Sequence, residues 1–114
     1  MQNDVQVWMY DVLQSIEEIG KYFAGKPMLL ESFKQDIKTK RAVERNLEII
    51  GEAIGRILKK DPTIQITNAR KVVDTRNKIT HGYDVVSDEL IWGIIINHLP
   101  KLKEEILGLL AGMK

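Results

Sequence analysis

Cysteine is absent from this 114-residue chain, which excludes disulfides, thiol nucleophiles and cysteine-ligated zinc. Histidine is nearly absent: His81 and His98 are the two present, too few for a histidine-rich metal centre. Three prolines and eight glycines fall at breaks, not at hairpin spacing. No Asn-Gly or Asp-Gly pair occurs and no period-two alternation is sustained, so a sheet is not expected. No apolar run reaches the ~18–20 residues needed to span a bilayer. The opening Met1-Gln2-Asn3-Asp4 has no basic start leading into an apolar stretch, so no secretory signal and no membrane role are expected, and a cytoplasmic location is the default. An excess of one charge is lacking too. Seventeen basic residues stand against sixteen acidic ones, net +1, so affinity for nucleic acid has to come from a local patch.

What is present is an ordinary globular composition, 44% hydrophobic and 29% charged, too apolar for a disordered chain. The length predicts one domain over residues 1–114, able to bury roughly two thirds of its unfolded surface. The apolar residues follow helical spacing. From about Asp4 to Phe23, the residues Val5, Trp8, Met9, Val12, Ile16, Ile19 and Phe23 form one stripe. Asp4 is the expected N-cap, and Gly25 with Pro27 the expected stop. Met28 to Ile37 reads as a connection with a short helical turn around Leu30 to Lys34. A second helix is predicted from about Asp36 to Lys60, with Val43, Leu47, Ile50, Ile54 and Ile57/Leu58 on its apolar face. Gly51 and Gly55 near that face each cost roughly 1 kcal/mol against alanine, which points to a close backbone neighbour. A third helix runs from about Thr67 to Thr80 and carries Val72, Val73 and Ile79. Ser87 caps a fourth, with Leu90, Ile91, Ile94, Ile95, Leu102, Ile106 and Leu109/Leu110 on its stripe and a kink expected at Pro100. The sum is an all-α fold, an up-and-down four-helix bundle with a short extra helical turn between helices one and two. A second apolar row, Trp92, Ile96 and Leu99, signals either deeper burial or a dimer face.

The chemistry concentrates in Arg76-Asn77-Lys78-Ile79-Thr80-His81-Gly82-Tyr83. Residues five apart lie about 140° apart around a helix, so Arg76 and His81 converge only if the helix ends near His81, and Gly82 supplies such an end. A histidine near neutral pKa can take a ribose 2′-hydroxyl proton or protonate a leaving 5′-oxygen. An arginine can hold the scissile phosphate and its developing charge. Neither role calls on a metal or another cofactor, and a second copy from a dimer mate would supply both an acid and a base. Arg70, Lys71 and Lys78 join Arg76 as local positive charge, candidates for phosphate and RNA contact. The blander readings are a solvated helix end around His81, helix packing for Gly51 and Gly55, and a surface carboxylate at Glu52 in preference to an orienter of Arg76. His98 reads as structural, Trp8 and Trp92 as core or interface, and Lys101-Leu102-Lys103-Glu104-Glu105 as a solvated face.

Three stretches together resemble the HepT-like branch of the HEPN superfamily: Arg45-Asn46-Leu47-Glu48-Ile49-Ile50-Gly51-Glu52-Ala53, then Arg76 to Tyr83 as Arg-x4-His-x-Tyr, then Trp92 followed by Leu99-Pro100-Lys101-Leu102. Their order and spacing fit nearly the full length. The resemblance implies a homodimer with two Arg–His motifs at a shared cleft, and a metal-independent endoribonuclease acting as the toxin of a toxin–antitoxin pair. It implies Arg76 and His81 as the catalytic pair and Asn77 as an accessory polar residue. It also implies a MntA-type nucleotidyltransferase antitoxin that silences the toxin by AMP transfer (AMPylation, or adenylylation) to Tyr83. Gly82 departs from the family pattern, where a larger or polar residue is common, and leaves the Arg–His pair intact. The competing functions are a non-catalytic substrate-binding or regulatory subunit of a nucleotidyltransferase, and a plain dimeric interaction bundle.

Overall fold

The computed structural model describes residues 3–81 and 87–113, and for His81 the backbone alone. The described residues form helices joined by short connections, without a strand: α1 (Asp4–Tyr22), α2 (Leu30–Gln35), α3 (Ile37–Lys60), α4 (Ala69–His81), α5 (Asp88–Gly93), a π-helix (Ile94–His98) and α6 (Leu99–Gly112). The expected helical bundle is what the chain forms.

The N-cap of α1 is Asn3, one residue before the expected Asp4. The Asn3 side-chain oxygen accepts the Gln6 N–H at 2.9 Å while the Gln6 side chain accepts the Asn3 N–H at 3.1 Å, a reciprocal capping box. After α1 the chain turns through Gly25 at φ 75°, a left-handed conformation that glycine adopts without steric cost. Asp36 starts α3, accepting from the Thr39 N–H at 3.1 Å and from its hydroxyl at 2.6 Å. The short helix α2 is more than a connector. Its Phe33 is fully buried and packs with Phe23 and Trp92 at centroid distances of 6.0 and 5.3 Å. Burying a side chain of that size stabilises the fold by about 1.5–3 kcal/mol.

Helix α3 is the middle of the bundle, packed against α1 on one side and α4 on the other. The α1/α3 pair is antiparallel. Tyr22 and Glu18 near the end of α1 meet Asn46 early in α3, while Trp8 near its start lies against Ile49, Ala53 and Arg56 further along. Val43, Leu47, Ile50, Ile54 and Ile57 of α3 are buried in one core with Met9, Val12 and Ile19 of α1, Val72 of α4, and Ile91, Ile94, Leu102 and Ile106 of the last three segments. Buried Asn46 is satisfied within that core: its side-chain oxygen accepts from the Tyr22 hydroxyl at 2.6 Å and its amide donates to Glu18 at 2.8 Å.

The last long helical stretch changes register before Pro100. The Leu99 N–H donates to the Ile94 carbonyl, five residues back, so the turn widens to a π-helix over Ile94–His98. Proline has no N–H and its ring crowds the carbonyl four residues earlier, and the wider turn relieves that crowding. The second apolar row divides: Leu99 is buried and Trp92 sits in the aromatic cluster, whereas Ile96 is 43% exposed. His98 pairs with the Asn68 side chain at 3.2 Å, tying the π-helix to the head of α4. Glu105 does more than face solvent, accepting from the Thr67 hydroxyl at 2.7 Å and from its N–H. No helix among the described residues is long and apolar enough to cross a membrane.

Candidate active site

Helix α4 crosses α3 at Gly51. A Cβ built on Gly51 would lie 2.8 Å from Arg76 Cγ, closer still to Arg76 Cβ, and 3.2 Å from the Val72 carbonyl oxygen. The missing side chain therefore lets the stem of Arg76 lie directly on the α3 backbone. This is the close approach expected for the glycine pair, and it holds for Gly51 alone. A Cβ on Gly55 would meet nothing within 4 Å.

Arg76 is half-buried, and its guanidinium is short of acceptors. Nη1 donates to the Asn77 side-chain oxygen at 3.0 Å, while Nε is buried with no partner among the described residues. A buried donor without an acceptor is costly. Glu52 is not its orienter: it is exposed and pairs with Arg56 at 2.8 Å. One turn toward the end of α4, Thr80 donates its hydroxyl to Glu48 of α3 at 3.1 Å, fixing the last turn against the bundle. His81 is the final residue of α4, its side chain outside the described residues. Gly82 and Tyr83 also lie outside the described residues. On the far side of the 82–86 segment, Ser87 caps α5 by accepting the Leu90 N–H at 3.0 Å. Two ion pairs hold that first turn: Lys34–Glu89 at 3.0 Å and Lys40–Asp88 at 3.3 Å. The pairing raises the Lys34 pKa and lowers that of Glu89, in each case chiefly through their shared hydrogen bond.

The basic candidates fall on two sides of α4, with Arg70 between them: it also lines a smaller depression with Gly55, Leu58, Val73 and Asp74. Arg76 and Asn77 open into a groove of about 230 Å3 between α3 and α4, whose other walls are Gly51, Glu52, Gly55, Arg56, Lys59 and Val73. Arg70, Lys71 and Lys78 line a different depression of about 520 Å3, with Asn68, Asp74, Thr75 and Leu90. Lys71 and Lys78 are seven apart and so share a face of α4, while Lys78 is about 200° around the axis from Arg76. Glu48, Arg56 and Lys59 carried no assigned role in the sequence reading. The signal for the last two was the spacing Gly55-Arg56-x2-Lys59, which sets both cations on one side of α3 beside an open glycine.

The chain is similar to known proteins over most of its length. A family model described as "Ribonuclease HepT-like" matches residues 12–108. A protein of Methanocaldococcus jannaschii, provisionally named as an RNase, is 33% identical over 107 residues, covering 90% of this chain and 84% of its own. One of Caldanaerobacter subterraneus, named in the same terms, is 30% identical over 109 residues, 94% of this chain and 95% of its own. A protein of Thermococcus cleftensis named as a probable ribonuclease HepT is 32% identical over 100 residues, covering 84% and 86%. No solved structure gives a significant match. An all-helical bundle matched by this model and by relatives along nearly their full length belongs to the HepT-like ribonuclease family of the HEPN superfamily, and its enzyme class is endoribonuclease.

Proposed function

We propose that this chain is the toxin of a toxin–antitoxin pair, a metal-independent endoribonuclease that cuts RNA with Arg76 and His81 at the cleft of a homodimer. The observation that carries the reading is the seating of Arg76: its stem rests on Gly51, its guanidinium is bonded by Asn77, and the same helix ends at His81. Arg76 holds the scissile phosphate through charge-assisted bonds and offsets the charge that grows on its oxygens. His81 accepts the 2′-hydroxyl proton as that oxygen attacks phosphorus. The bond from phosphorus to the 5′-oxygen breaks, and a proton is delivered to that oxygen. The products are a 2′,3′-cyclic phosphate and a 5′-hydroxyl. One imidazole cannot be base and acid in the same event, so the second protomer's copy supplies the other role.

Control belongs to a MntA-type nucleotidyltransferase antitoxin. The Tyr83 hydroxyl attacks the α-phosphorus of ATP, pyrophosphate leaves, and AMP remains on the ring. Two residues from His81, that group adds bulk and negative charge against an incoming RNA phosphate.

The test is RNA cleavage by the parent and His81→Ala side by side, with analysis of the product ends. The parent yields cyclic phosphate ends and the variant cuts at least a hundredfold more slowly. Equal cleavage by the two would move the assignment to a binding or regulatory subunit of a nucleotidyltransferase. Intact mass after expression with a MntA-type nucleotidyltransferase gains AMP at Tyr83. Tyr83→Phe keeps cleaving RNA and escapes silencing, and a variant silenced as well as the parent would remove the tyrosine from the scheme.

A further inference from the structure

Packing explains one of the two glycines on α3. Gly51 makes room for Arg76, but nothing occupies the space over Gly55, where alanine would fit and would favour the helix. Gly55 instead forms part of the floor of the α3/α4 groove. That groove has Arg76 and Asn77 near Gly51, and Arg56 and Lys59 further along α3. From residue 51 to residue 59 a helix rises about 12 Å, long enough for a stretch of nucleic-acid backbone rather than a single phosphate.

We propose that this groove is the track for the RNA strand flanking the scissile phosphate. Gly55 lets the sugar–phosphate chain come down on the helix, and Arg56 and Lys59 hold its phosphates. The inference rests on the ribonuclease reading above and adds the substrate contacts of that site. Charge supports it: three cations in the groove outnumber the single carboxylate, Glu52. That carboxylate pairs with Arg56 across one turn with both side chains exposed, an interaction weak enough to be exchanged for a phosphate. The depression with Arg70, Lys71 and Lys78 is equally basic but does not contain Arg76. A strand bound there would need a second contact to reach the arginine.

The experiment measures binding of a fluorescein-labelled oligouridylate to the full chain by anisotropy across a salt series, in the His81→Ala background so that the probe survives. KM for cleavage is measured in the active background. Arg56→Gln with Lys59→Gln weakens binding, raises KM, and lowers the slope of log affinity against log salt by about 0.7 for each cation removed. Removing two charges from α6, with Lys101→Gln and Lys103→Gln, leaves that slope as in the parent. Gly55→Leu separates ligand approach from folding. It fills the groove, so the melting temperature holds or rises while affinity falls at least tenfold. Parent-like binding by both groove variants would overturn the proposal, as would an equal loss of slope in the α6 variant. A Gly55→Leu protein that melts lower and binds normally would show a packing glycine and count against the track in the same way. A parent that neither binds nor cuts RNA would sink the ribonuclease reading together with the groove. A parent that cuts RNA while the groove variants match it would sink the groove alone.

Discussion

Replacing Gly51 by alanine should damage activity far more than stability, and the structure gives the size of both effects. The new methyl carbon would sit 2.8 Å from Arg76 Cγ, about 0.7 Å inside the ~3.5 Å at which carbon atoms rest comfortably. The approach to Arg76 Cβ is tighter, and the Val72 carbonyl is 3.2 Å away. Neither Cβ nor a backbone carbonyl can swing aside, so α4 has to move away from α3. Overpacking of this kind costs about 1–3 kcal/mol, and the better helix propensity of alanine returns about 1 kcal/mol. The net loss is about 0–2 kcal/mol, a fall in melting temperature of up to about 8 °C. The shift carries Arg76 with it. A displacement near 1 Å at a phosphate-positioning group can cost about a hundredfold in rate. Gly55→Ala is the internal control on the same helix, since its methyl meets open space and the variant should gain up to about 1 kcal/mol. Thermal melts of both variants with single-turnover RNA cleavage for Gly51→Ala decide the matter. A Gly51→Ala protein as fast as the parent, or a Gly55→Ala protein that loses as much stability, would refute the reasoning.

Three further outcomes follow from other parts of the molecule. Arg76→Lys keeps the charge but loses the planar fork and the bond to Asn77, so kcat should fall about a hundredfold with the melting curve little changed; parent-like turnover would remove the guanidinium from the chemistry. Asn46→Ala removes the acceptor of the part-buried Tyr22 hydroxyl and the donor to Glu18, and should cost about 1–3 kcal/mol in urea unfolding; a loss below about 0.5 kcal/mol would mean the α1/α3 bonds are dispensable. Hydrogen bonds from Thr39, with help from Lys26, lower the Asp36 pKa from 3.8 to about 2. Its folded-state pKa is depressed, so its contribution is complete above 3.8 and is lost as pH falls toward 2, and Asp36→Asn should flatten that limb of the acid-unfolding curve; an unchanged limb would assign it to other carboxylates.

The fold was largely legible because helical periodicity is local. The apolar steps of three and four along Val43, Leu47, Ile50, Ile54 and Ile57 define a face whatever packs on it, and breakers such as Asp61-Pro62 define its end. The short helix carrying Phe33 was legible only as a turn. Its stability comes from burial against Phe23 across the preceding turn and against Trp92, which is distant in sequence. The first cap slipped by one residue because Asn3 and Asp4 are both able caps, and the reciprocal bond with Gln6 selects Asn3. Before Pro100, where the sequence marks a break in the helical bonding, the turn widens to a π-helix that the sequence pattern does not single out.

The candidate site divides along the same line. The sequence by itself determined the residue types and their order on one helix, Arg76, Asn77 and His81, because motif spacing is a property of the chain. Tertiary structure decided which of them meet and what they meet. It seated Arg76 on Gly51 and turned Lys71 and Lys78 toward a separate depression, whereas the Arg76–Asn77 bond and the Glu52–Arg56 pair are each local to one helix. It also distinguished two glycines that look equivalent in the sequence, one filled and one open. The physical reason is that a side chain's neighbours across a bundle are set by how two helices cross. That crossing is fixed by the sum of their packed faces, so no local pattern in either helix records it.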